Sequence, residues 1–171
     1  TLLPGYATET QHRMVNRLAQ AVRSVIDTPE AGTTVFVNEV STYRRDGKVF
    51  SEGRAAHRVA YDVVRDYLQA MQSGDLALAQ SHLSPDFRMC FPGAVLMHTL
   101  QELTTWAQTR YSRIGKRYEQ FEESWQGDAT VVFCHGTLHG TWLDGHAFDG
   151  IRFIDRIQVQ DGLITRQDVW N

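Results

Sequence analysis

Cysteine is nearly absent from this chain, with only Cys90 and Cys134 in 171 residues. Two thiols can form at most one bridge, which excludes a disulfide framework, and both read as reduced, buried small hydrophobes. No apolar run approaches the ~20 residues that a membrane-spanning helix needs, and no charged-then-apolar leader opens the sequence. Cytoplasm is the expected location and a membrane is not an expected partner. Lysine and arginine never form a run, and 17 basic residues against 20 acidic ones leave a formal net charge of −3. Phosphates gain no general attraction from such a chain, so nucleic acid is not an expected partner either. What is present is an ordinary globular composition, 42% hydrophobic and 22% charged, long enough for one large domain or two small ones.

Between Thr10 and Ile26 the apolar residues Met14, Val15, Leu18, Val22, Val25 and Ile26 recur at helical spacing behind Thr8-Glu9-Thr10-Gln11, which reads as a capping box. Asp27-Thr28-Pro29 should end that helix, and Thr33 to Val40, rich in β-branched residues, reads as a strand. Thr1-Leu2-Leu3 could be the tail of another strand, giving a short β-α-β unit over residues 1–50. At such a size the unit would be marginal alone and should lean on the rest of the chain or on other copies. Arg44 to His57 turns polar and Gly-containing, so a connector is expected at 51–57 and a second domain at 58–171.

That second domain opens on the stripe Val59, Val63, Val64, Tyr67, Leu68 and Met71, stopped by Ser73-Gly74, with a short helix from Asp75 to Leu83 behind it. Asp86 to Phe91 alternates as a half-buried strand and Pro92-Gly93 breaks it; Thr99 to Ile114 returns to helical spacing. Four strands follow, Arg117–Trp125, Thr130–Trp142, Phe148–Val159 and Leu163–Trp170, separated by Gly127-Asp128, Asp144-Gly145 and Asp161-Gly162. Helices followed by an antiparallel meander define an α+β domain.

The order Tyr67 to Leu76 with its Ser73-Gly74-Asp75, then Leu83-Ser84-Pro85-Asp86-Phe87 and Phe91-Pro92-Gly93, resembles the opening of ketosteroid isomerase and SnoaL-like proteins. Ile154-Asp155-Arg156, Asp161-Gly162-Leu163-Ile164 and Asp168-Val169-Trp170 fit the close of the same family. The resemblance covers about two-thirds of the chain. It implies the nuclear transport factor 2-like, or cystatin-like, architecture: a cone-shaped curved antiparallel sheet with N-terminal helices. In ketosteroid isomerase a helical tyrosine and a protonated aspartate donate hydrogen bonds to the substrate's oxyanion, and Tyr67 and Asp155 fall at those places. The family's general base corresponds to Phe91, so isomerase chemistry of that form is not implied. In the similar limonene epoxide hydrolase an aspartate of the last strand helps to activate water; Asp168 matches it, while the two partner positions hold His135 and Thr137.

Residues 1–50 resemble the 4-oxalocrotonate tautomerase family through Gly5, the helix, Asp27-Thr28-Pro29 and Asn38-Glu39-Val40. That family's catalytic N-terminal proline would lie upstream of Thr1, and its substrate-binding arginines correspond to Tyr6 and Thr34. The resemblance thus implies an assembly element, or a tautomerase if a native proline precedes Thr1.

Strand alternation assigns faces: if Asp155 points inward, so do Ile151, Phe153 and Ile157, while Arg152 and Arg156 point out. A carboxyl among apolar neighbours favours its neutral form and could donate a hydrogen bond, as the aspartate of ketosteroid isomerase does, or else it forms an ion pair with a nearby arginine. Ile164, Arg166, Asp168 and Trp170 should share a face, with Arg166 and Asp168 about 7 Å apart along the strand, either as a general base held ionised or as a structural salt bridge. His135 and His139 stand about 13 Å apart along their strand, too far for one metal ion. No metal or cofactor is expected, and His135 is instead weighed as an acid/base partner of Asp168. Phe91, Trp106, Phe133 and Phe153 are candidate cavity walls, each also readable as ordinary core, and Arg166 joins them as a candidate substrate-binding residue.

The expectation is therefore cofactor-independent acid/base chemistry of isomerase, dehydratase, cyclase or hydrolase type. Asp168 and His135 would move the proton and Tyr67 and Asp155 would stabilise negative charge on an apolar, carbonyl- or hydroxyl-bearing substrate. The alternative is a non-catalytic ligand-binding or oligomer-forming protein, and a homodimer or higher homo-oligomer is expected in either case.

Overall fold

In the computed structural model, which describes residues 1–45, 47–53 and 58–171, the chain divides into two units, Thr1–His57 and Arg58–Asn171. Among the described residues no helix is long and apolar enough to cross a membrane. Residues 46 and 54–57 of the expected polar connector lie outside the described residues.

In the first unit the helical stripe becomes α1 (Thr8–Ile26), which stops where Asp27 turns left-handed at φ 45°. The expected capping box does not form. Ala7 takes the N-cap position with no side-chain bond, because the Gln11 amide donates instead to Tyr6 O and to Glu39 Oε1, the latter at 2.8 Å. The expected strand over Thr33–Val40 contracts to one parallel bridge, Leu2 opposite Glu39, closed by Leu2 N to Asn38 O and Val40 N to Leu2 O. The arrangement nonetheless fits a β-α-β unit. A hairpin follows, β1 (Tyr43–Arg45) and β2 (Lys48–Phe50), with the Tyr43 and Phe50 rings stacked at 5.1 Å. No residue of α1 is buried.

The second unit is α+β. Helix α2 (Ala60–Ser73) buries Val63, Val64, Tyr67, Leu68 and Ala70, the stripe read from sequence, and Gly74 ends it at φ 77°. Asp75 caps α3 (Leu76–Ser81) by accepting from Leu78 N. The strands β3 (Leu83–Phe91), β4 (Val95–Met97), β5 (Tyr111–Gln126), β6 (Ala129–Trp142), β7 (Ala147–Gln160) and β8 (Leu163–Trp170) form one sheet in the order β4-β3-β8-β7-β6-β5. Every neighbouring pair is antiparallel except β3 with β8, so the sheet is mixed.

Helix α4 (Leu100–Gln108) opens on a true capping box between Thr99 and Glu102 and stops six residues before the expected Ile114. Tyr111 instead begins β5, where it pairs with Trp142 and stacks on its ring at 5.1 Å, so cross-strand pairing overrides the helical spacing.

The sheet's bend has a cause in two glycines. The β5–β6 register slips between Tyr111 and Arg113 and again between Tyr118 and Gln120. At these irregularities a Cβ on Gly140 would lie 2.1 Å from Arg113 O, and one on Gly136 would lie 1.9 Å from Arg117 O. Only glycine lets β5 close so tightly over β6, and bulges of this kind turn a flat ladder into a curved one. The inner face packs α2 against Val132, Cys134, Ile157 and Ile164 in one continuous core.

Candidate functional site

Asp155 lies at the centre of the inner face and is completely buried. Alternation along β7 places Phe153 and Ile157 inward with it, and leaves Arg152 and Ile154 exposed, as the strand period predicts. Its charge partner is not an arginine. Lys116 Nζ, from β5, donates to Asp155 Oδ2 at 2.5 Å and rests 4.4 Å from the centre of the Phe153 ring. The Lys116 side chain keeps 19% of its surface exposed, so the buried carboxylate is linked to solvent through it.

Tyr67, on α2, donates its hydroxyl to Gln167 Oε1 at 2.8 Å inside the core. Gln167 draws near Asp155 without reaching hydrogen-bond geometry, and Asp155 Oδ1 has no partner among the described residues. Burial pushes the Asp155 carboxyl above the ordinary carboxylate range, while the Lys116 ammonium and the Gln167 side chain pull it back. Burial, and after it the Asp155 charge, also push the Tyr67 phenol, the Tyr118 phenol and the Cys134 thiol well above their ordinary values. All three are held neutral around one buried acid.

Apolar walls flank this group. Tyr118 meets Phe153 edge-on at 5.5 Å, and Phe91 meets Trp106 edge-on at 5.2 Å. Phe91, Trp106 and Tyr118 are each only partly buried against the core.

Of the four residues expected to do chemistry, Tyr67 and Asp155 share this inner group, and Asp168 and His135 do not. Asp168 pairs in register with Arg156 and faces the outer side of the sheet. There it accepts from Arg166 Nε at 2.8 and 2.9 Å and from Arg156 Nη1 at 3.3 Å. The Arg166–Asp168 pair thus exists, on the face away from Asp155. Ile164 does not share that face: the register slips at Thr165, between Gln158 opposite Arg166 and Val159 opposite Ile164, and Ile164 turns into the core. His135 is also on the outer side, but β7 lies between β6 and β8, which separates the two strands by about 10 Å. Its nearest charged group is Glu119, 3.7 Å from Nδ1. An Asp168–His135 proton relay is therefore not formed.

Phe133 pairs with Arg156, is 36% exposed on the outer side, and walls no inner cavity. Cys134 is buried as expected, whereas Cys90 is half-buried; both are free thiols.

Lys116 and Gln167 were missed from sequence. Lys116 left a signal: it and Lys48 are the only lysines in the chain, whose other basic residues are all arginines. A lysine is the cation whose charge yields most readily to its surroundings.

A curved sheet wrapped over α2, with a buried acid, a lysine and aromatic walls inside, defines a cone-type α+β domain. The chain belongs to the SnoaL-like domain family, whose pattern matches residues 64–167. No curated protein matches it in sequence. Three solved structures share the fold. A nuclear transport factor 2-like protein from Burkholderia thailandensis is 19% identical, with 66% of this chain and 90% of that one covered and a TM-score of 0.57. TerC, co-crystallised with polyporic acid, is 20% identical over 64% of this chain and 88% of its own, with a TM-score of 0.54. A ketosteroid isomerase candidate from Shewanella frigidimarina is 18% identical over 65% and 94%, with a TM-score of 0.52. At these identities the likeness is one of fold.

Proposed function

We propose that the second unit is a small-molecule enzyme doing cofactor-independent acid/base chemistry on an apolar, carbonyl- or hydroxyl-bearing substrate. The observation that carries this reading is the buried Asp155 carboxylate, bound by Lys116 through one oxygen and left with the other oxygen unpartnered. An orphan acceptor in a core is costly and marks a group kept for another purpose. Asp155 takes a proton from an acidic C–H beside the substrate carbonyl, and the Lys116 ammonium stabilises the enolate oxygen that results. Tyr67 is a positioning residue here, because its proton is already given to Gln167. Phe91, Trp106 and Phe153 supply the apolar walls. Asp168, His135 and Arg166 take no part.

The test is deuterium uptake from heavy water into the carbon beside the carbonyl of a panel of aromatic ketones, followed by NMR. The intact protein should speed the exchange, and Lys116→Met and Asp155→Asn should each return it to the buffer rate. Exchange at the buffer rate with every ketone, or exchange that survives both substitutions, refutes the proposal.

A second reading, assembly into a homodimer or higher homo-oligomer, is favoured by Phe133 and Ile154, 36% and 47% exposed on the outer sheet face. The tautomerase-like β-α-β unit would serve the same assembly. Sedimentation equilibrium decides it: a monomer at every concentration ends this reading.

A further inference from the structure

Arg88 and Arg166 stand directly opposite each other on the parallel pair β3–β8 and reach into the same groove. Like charges in opposed positions weaken a sheet unless something of the other sign lies between them. Asp168 meets only part of that need. Arg166 gives it Nε alone, leaving its two Nη groups without a hydrogen bond among the described residues, and Arg88 has no polar or charged partner among them at all. The third arginine, Arg156, is fixed, with one Nη on Asp168 and the other on Gln126. Three arginines thus face two aspartates, Asp86 and Asp168, in a groove of about 770 Å³ with Trp170 on its wall, on a chain whose net charge is −3.

We infer that this outer groove binds a small organic oxyanion, a carboxylate or phosphate carried on a flat apolar group. Arg88 and the Nη edge of Arg166 grip the anion, each as a planar donor fork suited to two oxygens. Asp168 and Gln126 hold the floor in place by occupying Arg156 and Arg166 Nε. Trp170, 53% exposed, covers the flat apolar part. The groove is separate from the inner group, since the sheet lies between Asp168 and Asp155.

Calorimetric titration of the full chain at low salt, with naphthoate and phenyl phosphate as probes, tests this. One of them should bind once per chain, and the tighter of the two tells whether carboxylate or phosphate is preferred. Arg88→Gln should weaken binding at least about tenfold, the size expected for losing one charged double hydrogen bond. Lys116→Met should leave binding unchanged. No binding of either probe at millimolar concentration overturns the inference, as does an affinity that Arg88→Gln does not alter. Loss with Lys116→Met but not with Arg88→Gln would move the probe into the cone. Inorganic phosphate binding as well as phenyl phosphate would remove the role of Trp170, and dissociation of an oligomer by Arg88→Gln would make the groove a protein interface.

Discussion

Asp155 pairs across the β7–β8 ladder with Val169, and Asp168 pairs with Arg156, so the two aspartates face opposite sides of one sheet. One carboxylate is sealed among Tyr67, Cys134 and Phe153 with a single lysine. The other, on the outer face of the sheet, is gripped by two arginines. Their surroundings differ in kind: burial favours the neutral acid at Asp155, whereas Asp168 is held by ion pairs with Arg156 and Arg166.

For Asp155 this predicts a pH dependence of stability. Its carboxyl is raised in the folded protein, so the unfolded chain ionises first. The favourable contribution is complete below about pH 3.9, the unfolded value, and declines as pH rises toward the folded one. Lys116 limits the decline. Asp155→Asn should therefore flatten the fall in urea midpoint from about pH 4 upward; an unaltered slope would mean that Lys116 keeps Asp155 ionised throughout.

Tyr67→Phe leaves Gln167 Oε1 buried without its donor, and should cost about 1–3 kcal/mol in equilibrium denaturation. Adding Gln167→Met removes the orphan as well. The double variant should then be more stable than Tyr67→Phe alone, and additivity of the two losses would show that the bond is not coupled.

Asp168→Asn should destabilise the protein by about 1–3 kcal/mol, below the full cost of breaking a buried pair because Arg166 is 42% exposed. Proton exchange on the ketone panel should persist in this variant. A stable but inactive Asp168→Asn would return the chemistry to the outer face.

Gly136→Ala should cost at least about 2 kcal/mol, since the added methyl would meet the backbone oxygen of Arg117 rather than a side chain that can move. Thermal unfolding measures it, and a neutral substitution would show that the β5 irregularity relaxes freely.

Much of the second unit was legible in the sequence because its signals are local. Val63, Val64, Tyr67 and Leu68 mark one helical face, Gly74 marks its end, and β7 alternates strictly enough to put Asp155 inward. The site was legible only in part, because partnership across strands is not local. The bond from Lys116 to Asp155 spans 39 residues, and the bond from Tyr67 to Gln167 spans 100. Asp168 misled for the same reason. Its place on β8 was read correctly, but side-chain direction depends on where the ladder slips at Thr165. Tyr111 to Ile114 shows the opposite failure, a helical spacing overruled by an aromatic partner, Trp142, on a strand that comes later.

Strand β8 keeps Tyr67's partner Gln167 and Arg166's partner Asp168 on consecutive residues, with opposite surroundings. Moving the strand by one position would carry a charged carboxylate into the core and a needed amide out of it, an exchange whose penalty grows with every neighbour left unmatched. β8 is also the junction at which the sheet changes from antiparallel to parallel, so the register of that junction is specified by side-chain chemistry on both faces of the strand.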